Sequence, residues 1–235
     1  MKTKAIFFDL DGTLLPMDQD LFVKDYLHRL AVYMAQHGYD PKAVAEAVME
    51  GVAAMVKNDG SVTNEQAFWN LFTKKFGEKS LDDKAKFEEF YRTEFQKIAA
   101  SCGRNERAKE IVELVKAKGF KPVLATNPLF PQIATHSRVR WAGLEPEDFE
   151  YISTYEDSNF CKPNPKYYQQ ILDKLDLKAE ECVMVGNDSK EDTVPAMLGM
   201  PVFLLTESLI NRGEDISLFD KGGYDELVDY VNKIV

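Results

Sequence analysis

The stretch Lys4-Ala5-Ile6-Phe7-Phe8-Asp9-Leu10-Asp11-Gly12-Thr13 decides how the rest of the chain is read. Ala5 to Phe8 is an apolar run with no polar alternation, as expected of a strand covered on both faces. It ends in two carboxylates spaced i, i+2. Side chains of an extended segment alternate faces, so Asp9 and Asp11 point the same way and converge on one spot. Like charges brought together repel unless something cationic sits between them. A Mg2+ ion, with a phosphate brought in beside it, would meet that need. The plainer reading is an acidic turn in which Gly12 supplies a positive φ.

Working outward, four further short apolar runs each lead into a loop: Pro122 to Ala125, Tyr151 to Ser153, Cys182 to Val185 and Val202 to Leu205. Helical patterns separate the later ones. Glu106 to Lys118 stops at Gly119, and Pro165 to Leu175 and Ser189 to Leu198 read as helices as well. Strand and helix in alternation predict a doubly wound parallel α/β sheet. Between residues 17 and 102 the character changes. Leu21 to Ala35, Pro41 to Val56, Asn64 to Phe76 and Ala85 to Ala99 read as amphipathic helices. Asn58-Asp59-Gly60-Ser61 is a turn, and Thr63 with Gln66 forms a capping box. The expected organisation is a discontinuous α/β core, 1–16 and 103–235, carrying a helical bundle over 17–102. Phe68, Trp69 and Phe72 are expected in the core of that bundle.

Composition narrows the function classes. A formal net charge of −10 over 235 residues argues against a partner that is a nucleic-acid polymer or an anionic membrane, both of which need basic patches. No stretch has the length of a membrane span, and no secretory leader is expected. Cys102, Cys161 and Cys182 are odd in number and lack CxxC spacing, the usage of a reducing cytoplasm. His28, His37 and His136 are scattered and offer no metal-ligand spacing. A cytoplasmic monomer is the default expectation, with a dimer as the alternative.

The loops at the carboxyl ends of the expected strands hold four clusters: Asp9-Leu10-Asp11-Gly12-Thr13, Thr126-Asn127, Lys162-Pro163, and Gly186-Asn187-Asp188 with Asp192 beyond it. Ligands of open α/β sheets bind there. The set, in this order, resembles the haloacid dehalogenase-like hydrolase superfamily, whose members are mostly phosphatases. The resemblance covers Ala5 to Leu205 and implies a Rossmann-like core, with residues 17–102 as a helical cap of the C1 kind above the site. Gly186-Asn187-Asp188 departs from the commoner Gly-Asp form, which bears on the geometry around Asp188.

The resemblance implies a role for each residue, and each role is chemically sensible. Asp9 would be the nucleophile, forming an aspartyl-phosphate. Asp11 would be the general acid and then the base that activates water. Thr126 and Asn127 would donate to the phosphoryl group. Lys162 would neutralise Asp9 and the phosphoryl group together. Asp188, Asp9 and the Asp11 main-chain carbonyl would hold Mg2+ as the cofactor. Asp192, at i+4 from Asp188, would orient Lys162 or a metal-bound water, and Thr13 would brace the loop. Taken singly, Asp188 also reads as an N-cap, Asp192 as a solvated residue and Lys162 as a surface lysine.

The function expected is Mg2+-dependent hydrolysis of a small phosphorylated metabolite. A sugar phosphomutase of the same fold and a non-catalytic binder of a phosphorylated ligand are the alternatives. The loops Pro16 to Gln19 and Lys57 to Val62 are expected to close over the site. The substrate itself is not encoded in any motif.

Overall fold

A computed structural model describes residues 2–234 of the chain. The apolar runs pair as β1 (Ala5–Phe8), β2 (Lys121–Leu124), β3 (Tyr151–Ile152), β4 (Cys182–Gly186) and β5 (Val202–Leu205), joined by a sixth strand, β6 (Asp220–Gly222). All pairings are parallel, in the spatial order β3-β2-β1-β4-β5-β6. Beyond the strands, helices α1 (Gln19–Ala35), α2 (Pro41–Val56), α3 (Asn64–Phe76) and α4 (Lys84–Arg92) lie between β1 and β2. Helices α5 (Glu106–Ala117), α6 (Gln132–Trp141) and α7 (Pro165–Leu175) precede β2, β3 and β4 in turn, and α8 (Tyr224–Lys233) follows β6.

Both faces of β1 are buried, which explains its unbroken apolar run. Ile6 and Phe8 pack with Ile111 and Val115 of α5 and Leu227 of α8. Ala5 and Phe7 pack on the opposite face with Tyr167 and Ile171 of α7. The sheet is therefore doubly wound. β1 is central, and its ladder continues one residue past its end on each side. Asp9 N–H donates to the Val185 carbonyl (2.9 Å), and Ala125 N–H to the Phe8 carbonyl (2.7 Å).

The helical segment leaves and returns by adjacent backbone: Met17 bridges Cys102, and Gly103 N–H donates to the Pro16 carbonyl (2.7 Å). Its aromatic interior includes Phe68, Trp69 and Phe72, all buried. The same apolar cluster continues without a break into Ala134 of α6 and Cys161. The capping box at Thr63 and Gln66 is formed.

Two helices differ from the sequence expectation. Ala85 to Ala99 is split at Thr93 (φ −119°, ψ −83°) into α4 and a 3₁₀ segment, Glu94–Ser101. The Thr93 hydroxyl bonds back to the Glu89 carbonyl (2.7 Å), a local bond that competes with helix continuation. Ser189 to Leu198 is not a helix either: it is a turn followed by a 3₁₀ segment, Val194–Leu198. Asp188 and Asp192 turn their carboxylates onto backbone N–H groups there, and Pro195 cannot donate to a helical ladder. β6 and α8 lie beyond Leu205, where the sequence reading assigns no element. Asp220-Lys221-Gly222 is polar and pairs only as a sheet edge.

Candidate active site

At the end of β1 the chain folds back at once. Thr13 and Leu15 N–H both donate to the Leu10 carbonyl, and Gly12 N–H donates to the Leu15 carbonyl (2.8 Å). Gly12 has φ +90°, and a Cβ there would lie 2.4 Å from the Asn187 side-chain nitrogen. Glycine is needed at this position for both reasons. Asp9 and Asp188 are thereby brought to neighbouring strand ends, with Asn187 between the two loops. Thr13 Oγ1 donates to Asn187 Oδ1 (3.0 Å) and more weakly to Asp9 Oδ2 (3.4 Å).

Lys162 is the centre of the site. Its side chain is fully buried, with Nζ 2.8 Å from Asp9 Oδ1 and 2.6 Å from Asp192 Oδ1. The other Asp192 oxygen accepts the N–H groups of Asn187 (2.9 Å) and Asp188 (3.0 Å). Gly186 makes room for it: a Cβ there would lie 2.2 Å from Asp192 Oδ2. Burial pushes the Asp9 carboxyl up, against the pull of Lys162. Burial also pushes Asp192 up to about 6, again opposed by Lys162. Burial pulls the Lys162 ammonium down, yet Asp192 and Asp9 together hold it well above its ordinary value. The result is a desolvated cation shared by two carboxylates.

The other expected residues are placed as follows. Thr126 is buried, and its carbonyl accepts from Ser153 Oγ and Tyr167 Oη, both at 2.7 Å. The Asn127 side chain is engaged within the protein: Oδ1 accepts the Lys162 N–H (3.2 Å) and Nδ2 donates to Glu191 (3.2 Å). It thus ties the loop after β2 to the loop bearing Lys162. Asp188 Oδ1 caps Lys190 and Glu191 N–H (2.8 and 3.0 Å), while Oδ2 accepts Arg212 Nε and Nη2 (3.2 and 2.9 Å). The Asp11 carboxylate is paired with Arg138. Among the described residues no three His, Cys, Asp or Glu side chains converge closely enough to hold a metal ion.

Three residues of the site are absent from the sequence reading. Arg138 left a trace: it lies at i+4 from Ala134 and i−4 from Ala142, a charge on the apolar stripe of α6. Arg212 lies in a loop and left none. Glu191, pushed up to about 7 by burial, sits against Asn127.

Residues 3–194 match the family of haloacid dehalogenase-like hydrolases. The chain belongs to that family. It is an enzyme, a hydrolase. Among curated relatives, "Pyrophosphatase PpaX" of Bacillus cereus (strain ATCC 10987 / NRS 248) is 27% identical over 194 residues, covering 83% of this chain and 78% of the relative. Solved structures share the fold of this hydrolase. An HAD phosphatase from Thermococcus onnurineus superposes with a TM-score of 0.62 at 20% identity, covering 99% of both chains. CbbY from Rhodobacter sphaeroides, in complex with xylulose-(1,5)bisphosphate, gives 0.59 at 16% identity over 96% of both chains. Among the described residues of the hydrolase, no helix is long and apolar enough to cross a membrane.

Proposed function

We propose that the chain is a Mg2+-dependent phosphomonoester hydrolase of a small metabolite, working through an aspartyl-phosphate on Asp9. The observation that carries this reading is the buried Lys162 ammonium between Asp9 and Asp192, with Asp11 two residues from the nucleophile. A desolvated cation beside a carboxylate suits the transfer of a dianionic group, where positioning and charge neutralisation supply most of the rate.

The donor set fits the cation in kind. Asp9, the Asp11 carbonyl and Asp188 offer hard oxygen atoms, the ligands Mg2+ prefers, with waters completing the shell. A cation would compete with Arg212 for Asp188 Oδ2. When bound, it would offset negative charge on the phosphoryl oxygens.

The chain's own residues then divide the work. An Asp9 oxygen attacks phosphorus, and the bond to the leaving oxygen breaks with its electron pair. Asp11 gives its proton to that oxygen, so an alcohol departs. Water, losing a proton to Asp11, next attacks phosphorus and frees the Asp9 carboxylate. Lys162 stays protonated throughout and balances the charge on Asp9. Asp192, anchored by two backbone N–H groups, fixes the ammonium.

Phosphate release from a panel of small phosphomonoesters and pyrophosphate, with and without Mg2+, tests the proposal. Metal-dependent turnover is expected, falling at least about 1,000-fold in Asp9→Asn, since the nucleophile itself is removed. Turnover that survives in Asp9→Asn would refute the covalent route. Pyrophosphate is included because the PpaX relatives are named for it.

A further inference from the structure

Arg138, on α6, heads the largest fully buried side chains of the described chain, with 1% of its side chain exposed. A guanidinium is always charged, and leaving it buried without a counter-charge is strongly unfavourable. Its carboxylate partner is Asp11: Nη1 donates to Asp11 Oδ2. Nη2 reaches Thr135 Oγ1 at 3.4 Å. The guanidinium carbon lies 4.6 Å from the centre of the Phe130 ring, which in turn packs edge-on against Tyr26 at 5.2 Å. The cation is thus fixed by its own helix, by the loop after β2 and, through Phe130, by the helical layer.

The second oxygen of the same carboxylate is the telling one. Asp11 Oδ1 is buried and has no hydrogen-bond partner. An unsatisfied buried acceptor is unfavourable, so a group from outside the chain is the natural partner for it. One oxygen is held and the other is left unpaired, on a carboxylate two residues from the nucleophile.

We propose that Arg138 is the positioning residue for Asp11, clamping Oδ2 so that Oδ1 meets first the leaving group and then water. The inference rests on the phosphomonoesterase reading above. In the first step the Oδ1 proton passes to the leaving oxygen as its bond to phosphorus breaks. In the second step Oδ1 takes a proton from the attacking water. Arg138 keeps its own protons in both steps and acts only through Asp11.

Leaving-group dependence separates this role from mere support of the fold. An alkoxide needs a proton to depart, whereas 4-nitrophenolate departs without one. For Arg138→Met, kcat/KM on the fastest alkyl monoester of the panel is expected to fall about 100-fold, the effect of losing a positioned proton donor. On 4-nitrophenyl phosphate the same substitution should change it by no more than about fivefold, because proton transfer adds little there. Arg138→Lys should recover part of the alkyl rate. Should Arg138→Met fail to fold, the alkyl-to-aryl ratio of Arg138→Lys carries the comparison and is expected to drop. Equal losses on both esters, no loss, or a gain would overturn the assignment, a gain marking the contact as one that holds Asp11 idle. A wild type inert on both esters would overturn the phosphomonoesterase reading itself. A wild type active on both, with variants of unchanged ratio, would overturn the role of Arg138 alone.

Discussion

Lys162 is the residue on which most of the site depends. Its ammonium has traded water for two carboxylates, and such an arrangement is stable only while all three groups are present. Lys162→Met would leave Asp9 and Asp192 buried without a cation, and is expected to destabilise the protein by about 3–5 kcal/mol at pH 8. Both carboxyls already sit above the ordinary 3.8, Asp192 at about 6. Removing the cation raises them further. In the variant the folded state then binds protons more readily than the unfolded chain, so stability must rise as pH falls from 8 toward 5. Urea denaturation of the chelator-treated variant at both pH values checks this; equal stabilities would contradict it. Lysine next to proline in a loop carries no mark of burial in the sequence. The approach of the β1 and β4 ends, with the Tyr168 ring of α7 6.0 Å from Nζ, removes it from water.

At the level of elements, the joint between the helical layer and the sheet is polar as well as apolar. The first N–H groups of a helix have no partner within it. In α3, Asn64 and Glu65 N–H donate to the Ser158 and Tyr155 carbonyls, both at 2.8 Å. The loop before α3 is locked to the same segment: Asn159 Nδ2 donates to the Gly60 carbonyl (3.0 Å), and a Cβ on Gly60 would lie 2.2 Å from Phe160 Cζ. Gly38 shares the same backbone region (φ +88° against +94°) but has nothing within 4 Å. Gly38→Ala should therefore show only the left-handed penalty, about 1–2 kcal/mol. Gly60→Ala should show that plus roughly 1–3 kcal/mol of overpacking, read by chemical denaturation. Equal effects would mean that Phe160 yields freely. The Asn58-Gly60 turn is plain in sequence, because turn chemistry is local. Its docking against Phe160 is not, because that contact spans 100 residues of chain.

For the whole molecule, the apolar cluster that runs from the helical layer into α6 and Cys161 gives the two parts a shared interior. Trp69 lies within it, and Trp141 of α6 packs at its edge, 5.0 Å from Phe95. A shared core couples the parts, so unfolding is expected as one transition, with tryptophan fluorescence and far-ultraviolet dichroism coinciding. Two separated midpoints would show that the layers melt independently.

Those scales also divide what the sequence determined from what it left to the fold. Unbroken apolar runs, alternating helices and a carboxylate pair at a strand end were sufficient for a doubly wound parallel sheet, because periodicity and burial on two faces act within a few residues. The order of the four loop clusters likewise carried the family. The split at Thr93, the turn at Ser189 and the late elements β6 and α8 depended on local hydrogen bonds and edge pairing that periodicity does not encode. Arg138 on Asp11 and Arg212 on Asp188 were decided by tertiary structure alone. Each joins residues distant in sequence, and a charge acquires its partner only when folding has removed the water between them.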